Sequence, residues 1–386
     1  MTLALVATCA LGLEELVAGE LRELGMAGVE VRRGAVAFAG GWREVWRANW
    51  RLRTANRVLV ELGAWDAPDG DALAAGAGRA VEGRRSWDGV SAADLFDPRR
   101  SFAVRATSSR SQVRDTRWVG LRVKDGIVDA QRRRFGKRAS VERRDPDVQL
   151  RVWLHRDRAT LLLDTSGAPL DHRGYRVETT EAPVREQLAA ACVLAAGWDG
   201  RGPVVDPMCG SGTLLAEAAA WALGLAPGRL RDGWAFEALP GFDRAAWEAV
   251  RREPVPAPAG GAGSGLEMRL HGVDAAPEAI AAATANLERA GLLDRATLTV
   301  GDAFDWAPPP GPGLLLVNPP YGERLAEEAG QWPRLGDLMK QRYGGWRAVV
   351  LAGGASRGKH LGLRPERRIP VRTGPLDARI LPFALY

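Results

Sequence analysis

The sequence predicts an α/β protein with a doubly wound, largely parallel sheet in its C-terminal half and a mixed α+β region before it. Four short apolar runs recur in the C-terminal half, at residues 203–206, 268–274, 296–300 and 314–317. Each has the length of a buried strand. Helical patterns follow the first two runs, over residues 214–223 and at the apolar positions Ala279, Ile280, Ala283, Leu287 and Ala290. Strands that alternate with helices favour a parallel sheet, and such sheets bind ligands at the carboxyl ends of their strands.

The N-terminal half alternates short strands with amphipathic helices. Residues 3–7, 29–31 and 35–38 are strand candidates, and the helix after the first one has an apolar face of Leu13, Leu16, Val17, Leu21 and Leu24. A second predicted helix repeats tryptophan every fourth place, which is more typical of core packing than of a platform for stacking bases: Trp42, Trp46 and Trp50. Alternating apolar residues over 148–154 and a return run over 160–163 predict a hairpin that closes this region.

Charge is unevenly distributed along the 386 residues, a length that predicts two or three domains. The formal net charge is +6, but residues 99–144 contain fifteen Lys and Arg against four Asp and Glu, and the rest of the chain is therefore net negative. A basic block on a mixed fold favours phosphate binding. A solvated face or a flexible basic loop, most simply at residues 132–138, is the common alternative for such runs.

A glycine turn follows the first strand of the predicted sheet. Residues 206–213 read Asp-Pro-Met-Cys-Gly-Ser-Gly-Thr and lead directly into a helix. Glycines there let a cofactor approach the backbone, and the helix N-terminus offers free amides to a carboxylate. The third glycine of the dinucleotide fingerprint is absent, since Leu215 stands at its place, and this favours S-adenosylmethionine (SAM) over NAD. The candidate cofactor-binding residues of this turn are Asp206, Met208, Cys209, Gly210, Ser211, Gly212 and Thr213.

Two further carboxylates end the next two predicted strands. Asp274 closes the second strand, where it could bind the ribose hydroxyls, and Asp302 follows the third, where it could accept from the adenine amine. Either residue alone could be a solvated loop residue or a helix cap. Three successive strands that end in acids or glycines make a shared SAM site the better interpretation.

The fourth strand ends in Asn318-Pro319-Pro320-Tyr321. Transfer of a methyl group to a planar exocyclic amine needs acceptors that hold the nitrogen and aim its lone pair, because that lone pair is delocalised into the base. The Asn318 side-chain oxygen and the Pro319 carbonyl are suitable acceptors, and Asn318 also borders the predicted cofactor site. The two prolines stiffen the loop, and Tyr321 offers a flat face to an unstacked base. Taken alone, the tetrapeptide could equally be an ordinary strand end.

Together these residues resemble the class I RNA guanine-N2 methyltransferases that carry a THUMP domain. The resemblance rests on residues 206–213, on Asp274 and Asp302, and on residues 318–325, and it extends through residues 12–16, 123–125, 173–176 and 182–186. It therefore covers nearly the whole chain. Within the family, the resemblance is strongest with bacterial members that methylate 23S ribosomal RNA.

The resemblance implies a domain order and an activity. We expect a ferredoxin-like unit at residues 1–50, a THUMP RNA-binding domain at 51–168, and a SAM-dependent methyltransferase domain at 169–386. The last domain should contain a Rossmann-like sheet of seven strands whose final strand, near residues 380–385, runs antiparallel. The implied reaction is methylation of the N2 amine of a guanosine in 23S ribosomal RNA or its precursor, with catalytic residues Asn318, Pro319, Pro320 and Tyr321.

RNA is thus the expected partner, and the basic block supplies the candidate contacts. These are Arg105, Arg110, Arg114, Arg117, Lys124, Arg132, Arg133 and Arg134. Two alternatives stay open: a transfer RNA guanine-N2 methyltransferase, because THUMP domains serve both substrates, and a non-catalytic RNA-binding or assembly factor with a methyltransferase fold. The intact loop at 318–321 argues against the latter.

The chain departs from the family pattern in two places. Long members fuse a second methyltransferase behind the first, so a single activity is expected of a chain that stops at Tyr386. Residues 224–265 also separate the first and second strands by far more than the usual ~20 residues. The tail of that segment, residues 254–261, has the composition of a flexible loop. Trp234 and Phe236 could shape the substrate mouth, although core packing suits them better.

Several classes of protein are not supported. The spacing of Cys9, Cys192 and Cys209 favours neither a disulfide framework nor a zinc site, and the four histidines form no ligand pattern. No metal is therefore expected. We find neither a signal peptide nor an apolar run long enough to span a membrane, and we expect a soluble cytoplasmic protein. The oligomeric state is left open.

Overall fold

The computed structural model describes residues 2–180, 183–258, 268–319, 330–354, 357–373 and 376–386. Over these residues the chain forms two large sheets, one from the N-terminal half and one from the C-terminal half. The elements of the N-terminal half are β1 (Leu3–Thr8), α1 (Glu14–Glu23), β2 (Ala27–Arg32), β3 (Ala35–Gly40), α2 (Trp42–Arg51), β4 (Arg57–Asp66), α3 (Gly70–Glu82), β5 (Ser86–Trp87), β6 (Val90–Ser91), α4 (Ala92–Leu95), β7 (Phe102–Ser109), α5 (Thr116–Phe135), β8 (Val148–His155) and β9 (Arg158–Asp164).

The first sheet has the strand order β2-β3-β1-β4-β9-β8-β7 in the described residues. Alternation along β8 shows which face is the core: Leu150, Val152 and Leu154 are buried, whereas the residues between them are half-buried. The predicted hairpin is confirmed, since β8 and β9 pair antiparallel around the turn at His155 and Arg158. One sheet contains β1 to β4 together with β7 to β9, and residue 50 lies inside α2. The division of this half into two domains stays a prediction.

The C-terminal half contains the second sheet and its helices. Its elements are α6 (Glu186–Ala195), β10 (Val204–Asp206), α7 (Thr213–Ala222), α8 (Arg244–Arg252), β11 (Leu270–Asp274), α9 (Pro277–Arg289), β12 (Ala296–Val300), β13 (Leu314–Val317), α10 (Gln331–Arg342), β14 (Arg347–Gly353), β15 (Ile369–Thr373) and β16 (Leu376–Ala384). The four strands expected from the apolar runs are all present.

The second sheet has the order β12-β11-β10-β13-β14-β16-β15, with β10 to β14 parallel and β16 antiparallel to β14. The predicted seven-stranded sheet with an antiparallel last strand is confirmed. Strand order reverses between β10 and β13. The strands β11 and β12 lie on one side of β10, whereas β13 and β14 lie on its other side. A reversal of this kind opens a crevice at the carboxyl ends of the strands, where ligands bind.

The long segment after α7 joins the two halves of the molecule. Trp234, Phe236 and Trp247 are buried, and their rings contact Trp46 and Trp50 of α2 at centroid distances of 5.5 to 6.5 Å. The tryptophan stripe of α2 is therefore core, as expected, and Trp234 and Phe236 pack in that core. The segment also contains α8, which sequence analysis did not predict. Part of the expected flexible tail, residues 259–261, lies outside the described residues.

A buried ionic network lies at the same junction. Arg173 Nε lies 3.4 Å from Glu217 Oε1, Tyr175 donates to the same oxygen at 3.0 Å, and Arg53 donates to the Leu225 carbonyl at 2.7 Å. Glu20 accepts from the Arg53 amide at 2.6 Å. A buried charge without a partner is costly, so these contacts fix how the N-terminal half sits on the C-terminal half.

Candidate functional site

Four polar side chains lie at the carboxyl ends of adjacent strands in the second sheet. In strand order they are Asp302 after β12, Asp274 on β11, Asp206 on β10 and Asn318 after β13. Parallel pairing carries all four to one edge of the sheet, on both sides of the strand-order reversal. The structure thus brings together the residues that the sequence assigned to the cofactor and to the catalytic loop.

The glycine turn is tied to the second strand by a carboxylate. Asp274 Oδ2 accepts from the Gly210 amide at 2.9 Å, its Oδ1 accepts from the Ala276 amide at 3.0 Å, and the Cys209 amide donates to the Val273 carbonyl at 2.9 Å. Asp274 is half-buried. It therefore shapes the turn, and it lies at the edge of the sheet where the crevice opens.

The two glycines serve different purposes. Gly212 has φ +77°, and a Cβ there would lie 3.2 Å from the Ala283 Cβ on α9, so this glycine allows close packing between the turn and the helix. Gly210 has φ +50°, and a Cβ there would come no closer to described atoms than 3.7 Å, at Thr180 Oγ1. Positive φ strains other residues at both places. Without a side chain at Gly210, a ligand could lie against the backbone of the turn.

Asp206 is buried, and no Lys or Arg of the described residues forms an ion pair with it. It is 1% exposed, and its Oδ1 accepts from the Met208 amide at 3.1 Å. Burial raises the pKa of Asp206 to about 8, and the charge of Asp274 adds to the rise. A buried carboxyl that receives so little stabilisation from the surrounding protein, and whose pKa is raised, is an expected feature of a binding site.

Asn318 presents a buried acceptor that lacks a donor. The residue is half-buried, and its Oδ1 is fully buried with no hydrogen-bond partner in the part of the chain that the structure describes. An unsatisfied buried carbonyl costs about 1–3 kcal/mol, so its retention favours a ligand that donates to it. Pro319 beside it is buried. The other two residues assigned to this loop, Pro320 and Tyr321, lie outside the described residues.

The other predicted cofactor residues surround the turn. Met208 is half-buried, whereas Cys209, Ser211 and Thr213 are buried. Burial raises the pKa of the Cys209 thiol, which suits a packing residue rather than a nucleophile. Asp302 is exposed, and its Oδ1 accepts from the Phe304 amide at 2.8 Å.

Sequence analysis gave no role to the segment at residues 176–180, which we call the strap. Arg176 donates to Glu186 Oε1 at 2.9 Å and to Thr213 Oγ1 at 3.0 Å. Asn286 on α9 accepts from the Val177 and Glu178 amides at 2.8 and 3.0 Å, and donates to the Glu178 and Ser211 carbonyls at 2.9 and 3.0 Å. The strap is thereby fixed across the glycine turn. The sequence did contain a signal for Asn286, since it is a polar residue within the apolar stripe of α9.

The predicted RNA-binding residues fall into two groups. Several are paired with acids or carbonyls: Lys124 with Asp125, Arg132 with Asp129, Arg133 with Glu82, and Arg134 with the Val81 carbonyl. The alternative of a flexible loop is wrong for residues 132–134, which form the last turn of α5. The remaining four are exposed: Arg105, Arg110, Arg114 and Arg117, of which Arg117 also lies 3.7 Å from the Asp115 carboxylate. Arg110 and Arg114 line an open cavity of about 600 Å³, and Arg105 lines another of about 360 Å³.

Two classes of site are not indicated. Within the described residues no group of three or more His, Cys, Asp and Glu side chains could hold a metal ion. A search of those same residues finds no helix that is long and apolar enough to cross a membrane.

Comparison with known proteins identifies three matching regions. Residues 4–59 match the RlmL ferredoxin-like domain, residues 88–164 match the THUMP domain, and residues 173–381 match the RMKL-like methyltransferase domain. The methyltransferase match spans more than half of the chain.

Individual proteins agree with these matches over the full length. "Putative RNA methyltransferase slr0064" of Synechocystis is 34% identical over 98% of this chain and 96% of its own length. The crystal structure of SMU.472 complexed with SAH has a TM-score of 0.84 and 29% identity, with 100% and 98% of the two chains covered. A predicted N6-adenine-specific DNA methylase from Listeria monocytogenes has a TM-score of 0.81 and 29% identity, with 99% and 96% covered.

Proposed function

This chain belongs to the RMKL-like methyltransferase family, and on that premise we propose that it methylates the exocyclic N2 amine of a guanosine in 23S ribosomal RNA. The enzyme is a SAM-dependent methyltransferase, and its THUMP domain makes RNA its partner. The choice of guanine N2 and of 23S RNA is the proposal. It is supported by the resemblance of residues 318–325 to guanine-N2 methyltransferases and by the match to the RlmL ferredoxin-like domain.

The crevice fits SAM on its own chemistry. Gly210 has no side chain that would keep a ligand from the backbone of the turn, and Asp206 and Asp274 would supply two carboxylates for the cationic and hydroxyl groups of SAM. Asp302, at the end of the next strand, would bind the adenine amine. When bound, SAM supplies an electrophilic methyl group on a sulfonium.

The observation that carries the proposal is the buried Oδ1 of Asn318, which has no hydrogen-bond partner among the residues that the structure describes. This oxygen and the Pro319 carbonyl would accept from the two N–H groups of the amine and turn its lone pair out of the plane of the base. Acceptors that are fixed before the reaction stabilise the charge that develops on the nitrogen. The nitrogen gains the methyl group and then loses one proton to water, so a strong general base is not required.

The proposal is tested by mapping methylated nucleosides in ribosomal and transfer RNA from cells with and without the gene. We expect one N2-methylguanosine of 23S RNA to disappear and to return with the wild-type gene but not with an Asn318→Ala gene. Loss of N2-methylguanosine from transfer RNA instead would contradict the 23S assignment. Loss of N6-methyladenosine would contradict the choice of base, which matters because one structural neighbour is described as acting on adenine. An unchanged pattern would favour a binding-only protein.

A further inference from the structure

Five arginines surround one cleft in the N-terminal half, at the far end of the sheet from β2. The cleft has a volume of about 360 Å³, and the arginines that line it are Arg57, Arg105, Arg143, Arg144 and Arg151. Asp145 and Asp164 also line it, which leaves an excess of three positive charges. Of these arginines, sequence analysis assigned only Arg105 to RNA.

Strand register builds the floor of the cleft. Arg105 on β7 pairs directly with Arg151 on β8, and the neighbours of Arg151 along the strand, Leu150 and Val152, are buried in the core. Because side chains alternate along a strand, Arg151 and Arg105 project from the opposite face. Like charges directly opposite each other destabilise a sheet, so this pair favours an anion bound between them.

One buried carboxylate orients two of the guanidinium groups. Asp164 Oδ2 accepts from Arg57 Nη1 at 2.7 Å and from Arg151 Nε at 2.8 Å, and the Asp164 side chain is 1% exposed. Arg57 also donates to the Gly167 carbonyl at 2.5 Å. Asp164 thus holds both arginines in place while it balances only one of their charges.

The remaining three arginines are free to bind a ligand. Arg105, Arg143 and Arg144 are exposed, and none forms an ion pair with a carboxylate in the described part of the chain. A guanidinium presents a planar fork of donors that matches the oxygens of a phosphate. Oriented arginines below and free arginines at the rim therefore form a phosphate-binding site.

The wall of the cleft is the connection to the catalytic half. Gly167, Ala168 and Pro169 line it, and Arg231 donates to the carbonyls of Ala168 and Pro169 at 2.9 and 2.6 Å. Arg231 belongs to the segment that packs on α2. A group bound in the cleft would consequently be held at a fixed distance from the glycine turn.

We propose that this cleft binds a phosphate of the RNA substrate and so sets the position of the RNA relative to the catalytic crevice. The inference rests on the proposed function in taking RNA as the ligand. The phosphate could be an internal phosphodiester or the 5′-terminal phosphate of the RNA, since both present the same oxygens.

The test is a titration of transcribed 23S RNA fragments and a transfer RNA against the full-length protein, at several salt concentrations and without methyl transfer. Arg143→Ala/Arg144→Ala, with and without Arg105→Ala, should weaken binding by about tenfold or more. The same substitutions should also reduce the slope of log affinity against log salt by about 1 for each lost phosphate contact. Arg143→Lys/Arg144→Lys should restore most of the slope. The matched control is Arg32→Ala/Arg33→Ala, an exposed pair at the β2–β3 turn, which should leave affinity and slope unchanged.

The cleft assignment is overturned if the triple variant keeps the wild-type affinity and slope. RNA without its 5′-phosphate distinguishes a terminal phosphate from an internal one. If wild type and the triple variant then bind this RNA equally well, the cleft binds the terminal phosphate. If wild type still binds more tightly, the cleft binds an internal phosphate. Because binding is measured apart from catalysis, failure of the proposed reaction would appear as RNA that binds but is not methylated. Failure of the cleft would appear as methylation that the triple variant does not impair.

Discussion

At the scale of single residues, Asp206 is a carboxyl whose burial costs stability. Its pKa is about 8, above the ordinary 3.8, so the folded protein binds this proton more tightly than the unfolded chain does. The free energy of unfolding should therefore fall as pH rises from about 4 to about 8 and then level off. Asp206→Asn keeps an acceptor for the Met208 amide and removes the titration. We expect this variant, without SAM, to be more stable than wild type at pH 9 by about 2 kcal/mol or more, with the gain vanishing near pH 4.

Urea unfolding at several pH values measures that difference. A gain in stability that is the same at pH 4 and pH 9 would contradict the raised pKa. The same variant should bind SAM less well at pH 9, because the ionised carboxylate is the form that attracts a cationic ligand. Asp206 is then a residue kept for binding at the expense of stability.

Asp274 is predicted to contribute to SAM binding directly. Asp274→Ala removes a carboxylate that accepts from the Gly210 amide at the carboxyl end of β11. The loss of charge-assisted hydrogen bonds should weaken SAM binding by about 1.5–3 kcal/mol, as measured by calorimetry. Asp302→Ala is the comparison, since Asp302 is exposed and should matter less. An unchanged SAM affinity in folded Asp274→Ala would remove this residue from the site.

Asn318 should matter to the rate and not to the fold. Because its Oδ1 has no donor in the described residues, Asn318→Ala removes no hydrogen bond to them from that oxygen, and we expect stability to be nearly unchanged. The catalytic rate constant should fall by about 10² to 10³, while SAM affinity changes little. Single-turnover methylation of the RNA measures the rate. A wild-type rate for this variant would refute the proposed role of the loop.

At the scale of elements, the strap and α9 form one unit with the glycine turn. Asn286 is 1% exposed and makes four hydrogen bonds that join the strap, the turn and the helix. Asn286→Ala leaves two strap amides and two carbonyls without these partners, so it should cost about 2–4 kcal/mol of stability. It should also raise the SAM dissociation constant, because the turn is no longer held. Thr284→Ala, a half-buried change two residues before Asn286 on α9, is the control.

Two measurements separate the binding effect from a general loss of stability. Urea unfolding gives the stability, and calorimetry well below the transition gives the SAM affinity of the folded protein. If Asn286→Ala were destabilised but bound SAM as tightly as wild type, the strap would have a structural role alone. In that case the space beside Gly210 would be shaped by the turn itself.

Elements with local signals could be predicted, and those that depend on long-range contacts could not. The strands at 204–206 and 314–317 are short buried apolar runs, and the acids that end the strands follow from their place in the chain. Asn286 contacts Ser211, 75 residues away, and Arg176 contacts Thr213, 37 residues away, and no local pattern encodes such contacts. The arginine cleft is a similar case, since it is made by pairing β7 with β8 and by the linker after β9.

At the scale of the whole molecule, the extra segment between β10 and β11 attaches the RNA-binding half to the catalytic half. From sequence it was only a departure in length. In the structure its aromatic side chains pack on α2, and Glu253 at the end of α8 accepts from Arg43, Arg47 and Arg51 at 2.7 to 2.9 Å. A rigid junction is what the proposed reaction requires, because RNA held by one half must present a base to the other.

The Glu253 cluster should give this junction a characteristic loss of stability in acid. Although burial opposes ionisation, hydrogen bonds from Arg47 and Arg43 hold the pKa of Glu253 at about 2, below the ordinary 4.5. A depressed pKa contributes stability above about pH 4.5 that is lost as pH falls toward 2. Glu253→Gln should therefore cost about 3 kcal/mol at pH 7, and the difference from wild type should close between pH 4.5 and 2.

Urea unfolding of both proteins across that pH range measures the difference, and Glu248→Gln is the control. Glu248 forms an exposed pair with Arg251 on the same helix, and such pairs contribute under about 1 kcal/mol. If Glu253→Gln lowered the free energy of unfolding no more than Glu248→Gln at pH 7, the Glu253 cluster would contribute little to stability. The aromatic contacts alone would then stabilise the junction. If instead the cost persisted unchanged at pH 2, it would come from lost packing. Only a cost that disappears with acid identifies the ion pairs as the link between the two halves.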